Sequence, residues 1–381
     1  MEISIFSLLR MKHYKKTRIK NNRLCITHSL LFFCTLLLFS CKQEGTDSDI
    51  IWQDQKAIAV FIPEKKLPNA DENTALPLVA IRLKGSNTDM LGNKKWEDGV
   101  RFEPLIPFTP GSQYTVFYRG VLLDSFSIPL GDASMQPSVV KMYPSTDTVP
   151  VNMLKIYLQF SQPMRESVSP KYVGLIKDGK DTLNDVFLDL QPELWNEDRT
   201  VLTLWLDPGR IKRDLQPNQR MGNPLQENTK YTLLVAAGWT SAQGLALSQN
   251  FRHDFVAAQR DSLSPDPARW HLTIPSSNTS APLVIDLQET LDHFLLPESI
   301  QVATKAGKVL EGKWVINEKD NQCQFHPSSP WTAGSYQLII DAKLEDMAGN
   351  NLNKPFDRDT RNTKAPSDNT EYYRYFSIGG R

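Results

Sequence analysis

One stretch of this chain occurs twice. Phe102-x-Pro104-x-x-Pro107-Phe108-Thr109-x-Gly111-Ser112-x-Tyr114 returns as Phe325-x-Pro327-x-x-Pro330-Trp331-Thr332-x-Gly334-Ser335-Tyr336, slipped by one residue at the tyrosine. A looser copy lies between them, where Leu202, Leu204 and Leu206 alternate before Asn228-Thr229-Lys230-Tyr231 opens a strand. Each copy is followed by an aromatic-led strand: Phe126-Ser127-Ile128, Phe255-Val256 and Phe376-Ser377-Ile378. Repeats of this kind constrain a chain more than any local signal, because each copy must be a supersecondary unit with a face of its own to bury. They place domains at 51–134, 136–258 and 265–381.

The period of the apolar residues says what those units are. Leu154, Ile156, Leu158 and Phe160 alternate with Lys155, Tyr157 and Gln159; Leu283, Ile285 and Leu287, and Val79, Ile81 and Leu83, do the same. Alternation is the mark of a half-buried strand. Helical periodicity is confined to a turn or two at Glu289–Phe294, and 25 prolines and 19 glycines punctuate the rest. Short strands between such turns predict an all-β chain of tandem sandwiches. Tyr114, Tyr231 and Tyr336 are expected to bury their rings and bond a turn backbone through their hydroxyls, as in a tyrosine corner. The stretches Gly131–Pro137 and Asp261–Pro267 read as linkers that permit flexing.

Val139-Val140…Pro144…Val149-Pro150-Val151-Asn152…Ile156-x-Leu158-x-Phe160-Ser161-x-Pro163-Met164 resembles the opening of bacterial Ig-like domains of the S-layer type. Their later signature is echoed by Thr229-Lys230-Tyr231-Thr232 with Gly244-Leu245, and more fully by Leu344-Glu345-Asp346-Met347-Ala348-Gly349-Asn350-Asn351-Leu352. The first copy lacks the Asp-Gly-Asn turn. The resemblance implies Ig-like β-sandwiches serving as spacers or as adhesive and binding modules at a cell envelope.

The N-terminus reads as an address. Lys12, Lys15, Lys16, Arg18, Lys20 and Arg23 precede a mostly apolar run, Leu24–Phe39, shorter than the roughly 20 residues of a membrane span. Basic flank, short apolar core and a small residue before the cut site describe an export signal over residues 1–40, with Met1 or Met11 as its start. Leu38-Phe39-Ser40-Cys41 resembles the lipobox of bacterial lipoproteins, which implies acylation of Cys41 and a tether over 41–50. The expected location is the cell envelope, anchored by lipid to the outer membrane on its periplasmic or surface face.

Composition agrees with export. The chain has 43 basic and 43 acidic residues, but seven of the basic ones fall within the first 40 residues against Glu2 alone, so the body is acidic. A body of that sign is ill suited to binding nucleic acid through phosphate contacts. Of four cysteines only Cys323 stays as a thiol in the body, so no intramolecular disulfide is expected.

Chemistry is harder to find. His253, His271, His293 and His326 form no close metal-binding spacing, and neither a Gly-x-Ser-x-Gly elbow nor a phosphate loop is present. No catalytic residue is assigned. Asp346, Asn350, Asp357 and Asp359 gather around one turn, where oxygen ligands would suit Ca²⁺, the one cofactor the pattern suggests. Trp195 and Trp239 stand beside loop-like stretches and are candidates for stacking on sugar. The long polar loop Gly209–Asn228 carries Arg210, Lys212, Arg213 and Arg220, a positive patch suited to acidic glycan. The expected role is non-catalytic: binding, adhesion or spacing, with the membrane, an envelope protein or a glycan as partner. The alternative is a carbohydrate-binding accessory or hydrolase-associated lipoprotein acting on polysaccharide.

Overall fold

The computed structural model describes residues 48–53, 56–69, 71–183, 185–358 and 367–379. The signal segment, Cys41 and Asp359 lie outside the described residues. Residues 47–381 form one compact unit, and strand is the main regular structure of the described residues within it, with only short helices.

The first seven strands are β1 (Asp49–Gln53), β2 (Lys56–Pro63), β3 (Val79–Leu83), β4 (Gly92–Trp96), β5 (Gly99–Pro104), β6 (Gln113–Tyr118) and β7 (Val121–Ser127). They form two sheets, ordered β1-β2-β5-β4 and β3-β6-β7. Nine strands follow: β8 (Val139–Tyr143), β9 (Thr148–Pro150), β10 (Lys155–Phe160), β11 (Val173–Lys177), β12 (Asp181–Leu183), β13 (Leu194–Trp195), β14 (Val201–Trp205), β15 (Thr229–Val235) and β16 (Phe251–Ala258). The last seven are β17 (His271–Thr273), β18 (Leu283–Asp286), β19 (Ile300–Thr304), β20 (Gly312–Ile316), β21 (Gln322–Pro327), β22 (Gly334–Asp341) and β23 (Glu371–Ile378).

The third group is ordered β17-β18-β21-β20 and β19-β22-β23, which repeats the first group strand for strand. The second, ordered β13-β14-β10-β8 and β12-β11-β15-β16-β9, keeps the same plan and adds an edge strand at each end of one sheet. Counted along the chain, this plan pairs strands one, two, five and four in one sheet and three, six and seven in the other. That is the strand order of a constant-type immunoglobulin sandwich. The fold is all-β and immunoglobulin-like.

The alternation places the cores. β10 buries Ile156, Leu158 and Phe160 and turns Lys155, Tyr157 and Gln159 outward. Leu283 and Ile285 go inward on β18, as do Val79 and Ile81 on β3. Leu83 departs from the pattern, being 46% exposed at the strand end.

All three predicted tyrosines are buried at the start of the sixth strand of their sandwich. The Thr109 N–H donates to Tyr114 Oη at 2.9 Å, and the Gln226 N–H to Tyr231 Oη at 2.8 Å. Tyr336 sits one residue nearer its turn and donates instead, to the Thr332 carbonyl at 2.9 Å. The slip seen in the sequence thus changes the direction of the bond and keeps the corner. Each tyrosine faces the phenylalanine of the next strand across the ladder, and the rings stack: Tyr114 on Phe126 at 5.5 Å, Tyr231 on Phe255 at 5.8 Å, Tyr336 on Phe376 at 5.5 Å. Such pairs contribute about 0.5–1.5 kcal/mol beyond area burial. Tyr231→Phe is expected to lower stability by about 1–2 kcal/mol in a denaturant titration, since it leaves the Gln226 N–H without its acceptor.

Three short helices escaped the sequence pattern. The first, α1 (Glu72–Leu78), is capped by Asp71, whose carboxylate accepts from the Thr74 N–H at 2.8 Å while Thr74 Oγ1 accepts from the Asp71 N–H. Two more, α2 (Pro208–Ile211) and α3 (Gln216–Met221), occupy the loop expected to be irregular. The turn expected at 289–294 lies further on, at α4 (Leu296–Ser299). Helices this short carry too few apolar residues to show a period.

Candidate functional site

The glycine turn identified in the sequence joins the sandwiches. In the second sandwich the Ser241 N–H donates to Leu245 O at 2.7 Å and the Gly244 N–H to Ser241 O at 3.0 Å. In the third, Asp346 bonds Asn350 O and Gly349 bonds Asp346 O, both at 3.1 Å. Gly244 and Gly349 have φ of +81° and +76°, a region that favours glycine. Each presses on the sandwich before it. A Cβ on Gly244 would stand 2.8 Å from Pro110 Cβ, and one on Gly349 only 2.3 Å from Leu154 Cδ2. The Leu154 N–H also donates to Met347 O at 2.9 Å.

Around the second of these turns lies a buried cluster of charged residues. Lys155 Nζ is 2.9 Å from both Asp292 Oδ2 and Glu345 Oε2, and Tyr157 Oη donates to Asp292 at 2.6 Å. Burial works against the charge on Lys155, but Asp292, Tyr157 and Glu345 outweigh it and raise its pKa, so it stays protonated. Burial, with Asp292, raises Tyr157 as well. Beside them the Tyr143 and His293 rings stack at 3.6 Å, and His293 Nδ1 lies 2.6 Å from Asp320, whose carboxyl burial pushes upward. A Lys–Tyr pair and a His–Asp pair in one cleft are groups that can do acid–base work. Here they surround a cavity of about 20 Å³, too small for an organic substrate.

Sequence reasoning missed this cluster for a physical reason. Alternation put Lys155 and Tyr157 on the outer face of β10, which is correct for the second sandwich alone. The third sandwich covers that face with Asp292, Phe294 and Glu345. The linker is likewise tied rather than loose. Asn152 bonds both the N–H and the C=O of Asp261, at 2.9 and 2.6 Å, and Arg260 bonds Asp357, Ile211 O and Asn223.

The expected calcium ligands do not form an open site. Asp346 Oδ1 accepts from the Ala348 and Asn350 N–H groups at 2.8 and 3.0 Å, and its Oδ2 from the Asn350 amide at 2.8 Å. Asn350 Oδ1 accepts from the Phe356 N–H. Asp357 is held by Arg213 at 2.8 Å and Arg260 at 3.0 Å. These carboxylates are spent inside the turn and its neighbours; Asp359 lies outside the described residues.

The other sequence candidates also need correction. Trp239 is fully buried, donates its indole N–H to Arg165 O and stacks on Tyr172 at 5.8 Å. Trp195 is half-buried and donates to Glu193 at 2.8 Å. Both pack on Phe160 and meet each other edge-on at 5.9 Å, one aromatic cluster at the core. Arg210 spends its guanidinium on the carbonyls of Asp185, Gly222 and Asn223, folding its own loop. Outward rings occur elsewhere, at Tyr373 and Tyr375, which are 46% and 66% exposed and stack at 6.4 Å. Cys323 is buried, and burial pushes its thiol up to about 12, which leaves it inert.

Burial pushes Asp346 up to about 8, against the N–H donors that favour its ionised form, with Asp261 adding to the rise. It pushes Glu289 up to about 7, again helped by Asp261. A carboxyl whose folded pKa lies above its unfolded value contributes stability at low pH that is lost as pH rises toward the folded pKa. The melting temperature is therefore expected to fall between pH 5 and pH 8. Asp346→Asn should flatten that fall in a calorimetric series.

No family model and no curated protein matches the chain. Solved structures resemble it at a distance. A structure of native alpha-2-macroglobulin from Escherichia coli spanning domains MG0-NIE-MG1 is 8% identical with a TM-score of 0.23, over 65% of this chain and 72% of that one. Domains 1–6 of the surface layer protein SbsC are 12% identical with a TM-score of 0.26, over 63% of this chain, which spans 26% of that one. An I-band fragment of titin is 13% identical with a TM-score of 0.19, over 79% of this chain and 87% of that one. Likeness at this level adds nothing to what the strand order already establishes.

Proposed function

We propose that the chain is a non-catalytic, lipid-anchored protein of the cell envelope whose immunoglobulin-like sandwiches display or space a binding surface. The observation that carries this reading is the junction. The residues best equipped for chemistry, Lys155, Tyr157, Asp292, His293 and Asp320, are engaged with one another around a space of only about 20 Å³ and tie two sandwiches together. Among the described residues no helix is long and apolar enough to cross a membrane. The signal and Cys41 supply the anchor in this reading, at the outer membrane on its periplasmic or surface face.

Mass spectrometry of the protein from membranes tests the anchor. The expected N-terminal peptide begins at Cys41 and carries a diacylglycerol, and Cys41→Ser should yield an uncleaved, unmodified precursor. An unmodified N-terminus beginning elsewhere would contradict it. A second reading, a carbohydrate-binding accessory protein, is favoured by one observation: an open cleft of about 360 Å³ at the same junction, within the usual range of ligand sites.

A further inference from the structure

The open cleft beside the locked junction has a one-sided charge. Lys212, at the end of α2, forms one wall; Asn351, Lys354, Phe356 and Arg358 of the third sandwich line it with Glu345. Among the described residues that line it Glu345 is the one acid, and that carboxylate already faces Lys155 at 2.9 Å. The nearby Asp357 is held between Arg213 and Arg260. Among the described residues neither Lys212 nor Lys354 is in an ion pair; Lys212 Nζ sits 4.4 Å over the Phe356 ring. Two cations from different sandwiches thus face one space, with no anion paired to them among the described residues.

We infer that this cleft binds an acidic oligosaccharide through its carboxylate or sulfate groups, an inference that rests on the carbohydrate-binding reading. The volume suits one or two sugar rings, and its walls offer what such a ligand needs. Lys212 and Lys354 meet the negative groups. The Asn351 amide oxygen accepts from the Asn353 and Lys354 N–H groups, which leaves its NH₂ to donate to a hydroxyl. Phe356 lines the space and holds Lys212 over one face of its ring. The segment bearing Lys354 is fixed by Asn350, whose Oδ1 holds the Phe356 N–H at 2.9 Å. The positive patch expected from the 209–228 loop is thereby narrowed. Arg210 and Arg213 serve structure, and Lys212 serves the cleft with a lysine that no loop motif announced.

Calorimetric titration of the full chain in detergent with three hexasaccharides tests this: oligogalacturonate, a heparin-derived fragment and neutral maltohexaose. Binding by either acidic sugar and not by maltohexaose is the expected result; oligogalacturonate binding marks a carboxylate ligand, and heparin binding without it marks a sulfate. Affinity should drop as salt shortens the screening length. Lys212→Glu and Lys354→Glu should each weaken binding about tenfold, since each reverses a charge at contact range. Lys354→Gln, with an unchanged melting midpoint, separates lost charge from lost fold. Tyr375→Ala should change nothing. Equal binding of the neutral sugar, indifferent to the lysine variants, would overturn the inference and leave the carbohydrate reading standing. Binding abolished by Tyr375→Ala alone would move the site to the tyrosine pair and also overturn it. If none of the three sugars binds, both fail and the spacer reading is left.

Discussion

Lys155→Met is expected to lower the stability of the chain by about 3–5 kcal/mol, the usual result of removing one partner from a buried ion pair. The lysine side chain is 10% exposed and Asp292 is 3% exposed, so water cannot replace what is lost. Asp292 would keep its charge with only Tyr157 Oη and the Phe294 and Leu295 N–H groups to bond it. Guanidinium denaturation measures the loss. The companion variant Asp292→Asn retains an oxygen for those two N–H groups and removes the stranded charge. Combined with Lys155→Met it should recover part of the loss, giving a favourable coupling in a double-mutant cycle. A single-variant loss under about 1 kcal/mol would place the pair with exposed ion pairs and remove the lock.

Gly349→Ala should be the second largest effect. At φ +76° a side chain costs about 1–2 kcal/mol of backbone strain. The added Cβ would also stand 2.3 Å from Leu154 Cδ2, a side chain 1% exposed, and overpacking of that kind adds about 1–3 kcal/mol. Gly307 supplies the control in the same sandwich: its φ is +89° and nothing lies within 4 Å of its Cβ position. Gly307→Ala should show the strain alone. Equal losses in the two variants would mean that the turn does not bear on the neighbouring sandwich.

Much of the fold is legible in the sequence. Alternation at Ile156, Leu158 and Phe160 marked a core face, and the recurring Tyr and Phe marked three corners that stack in register. Those signals are local, because a strand's burial is written at every second residue. The junction was not readable in the same way. Lys155 looked like a solvated position, since its strand had already used its inner face. Gly349 and Asn350 looked like a turn, which they are, but nothing along the chain says that Leu154 lies against it. Trp239 misled in the opposite sense: its neighbours suggest a loop, and its ring fills the core between Phe160 and Tyr172. The sequence leaves Asp346 open as a Ca²⁺ ligand or a turn residue, because a carboxylate in a turn can serve either a metal or its own backbone. Here the Ala348 and Asn350 N–H groups take it.

The central claim is that the second and third sandwiches act as one rigid body presenting a fixed cleft. Electron–electron distance measurement tests it, with spin labels on cysteines placed at Asp181 and Lys313, both exposed and on different sandwiches. A single narrow distance distribution is predicted for the otherwise unaltered protein, broadening when Lys155→Met is added. A broad or multiple distribution before any junction residue is changed would contradict the claim.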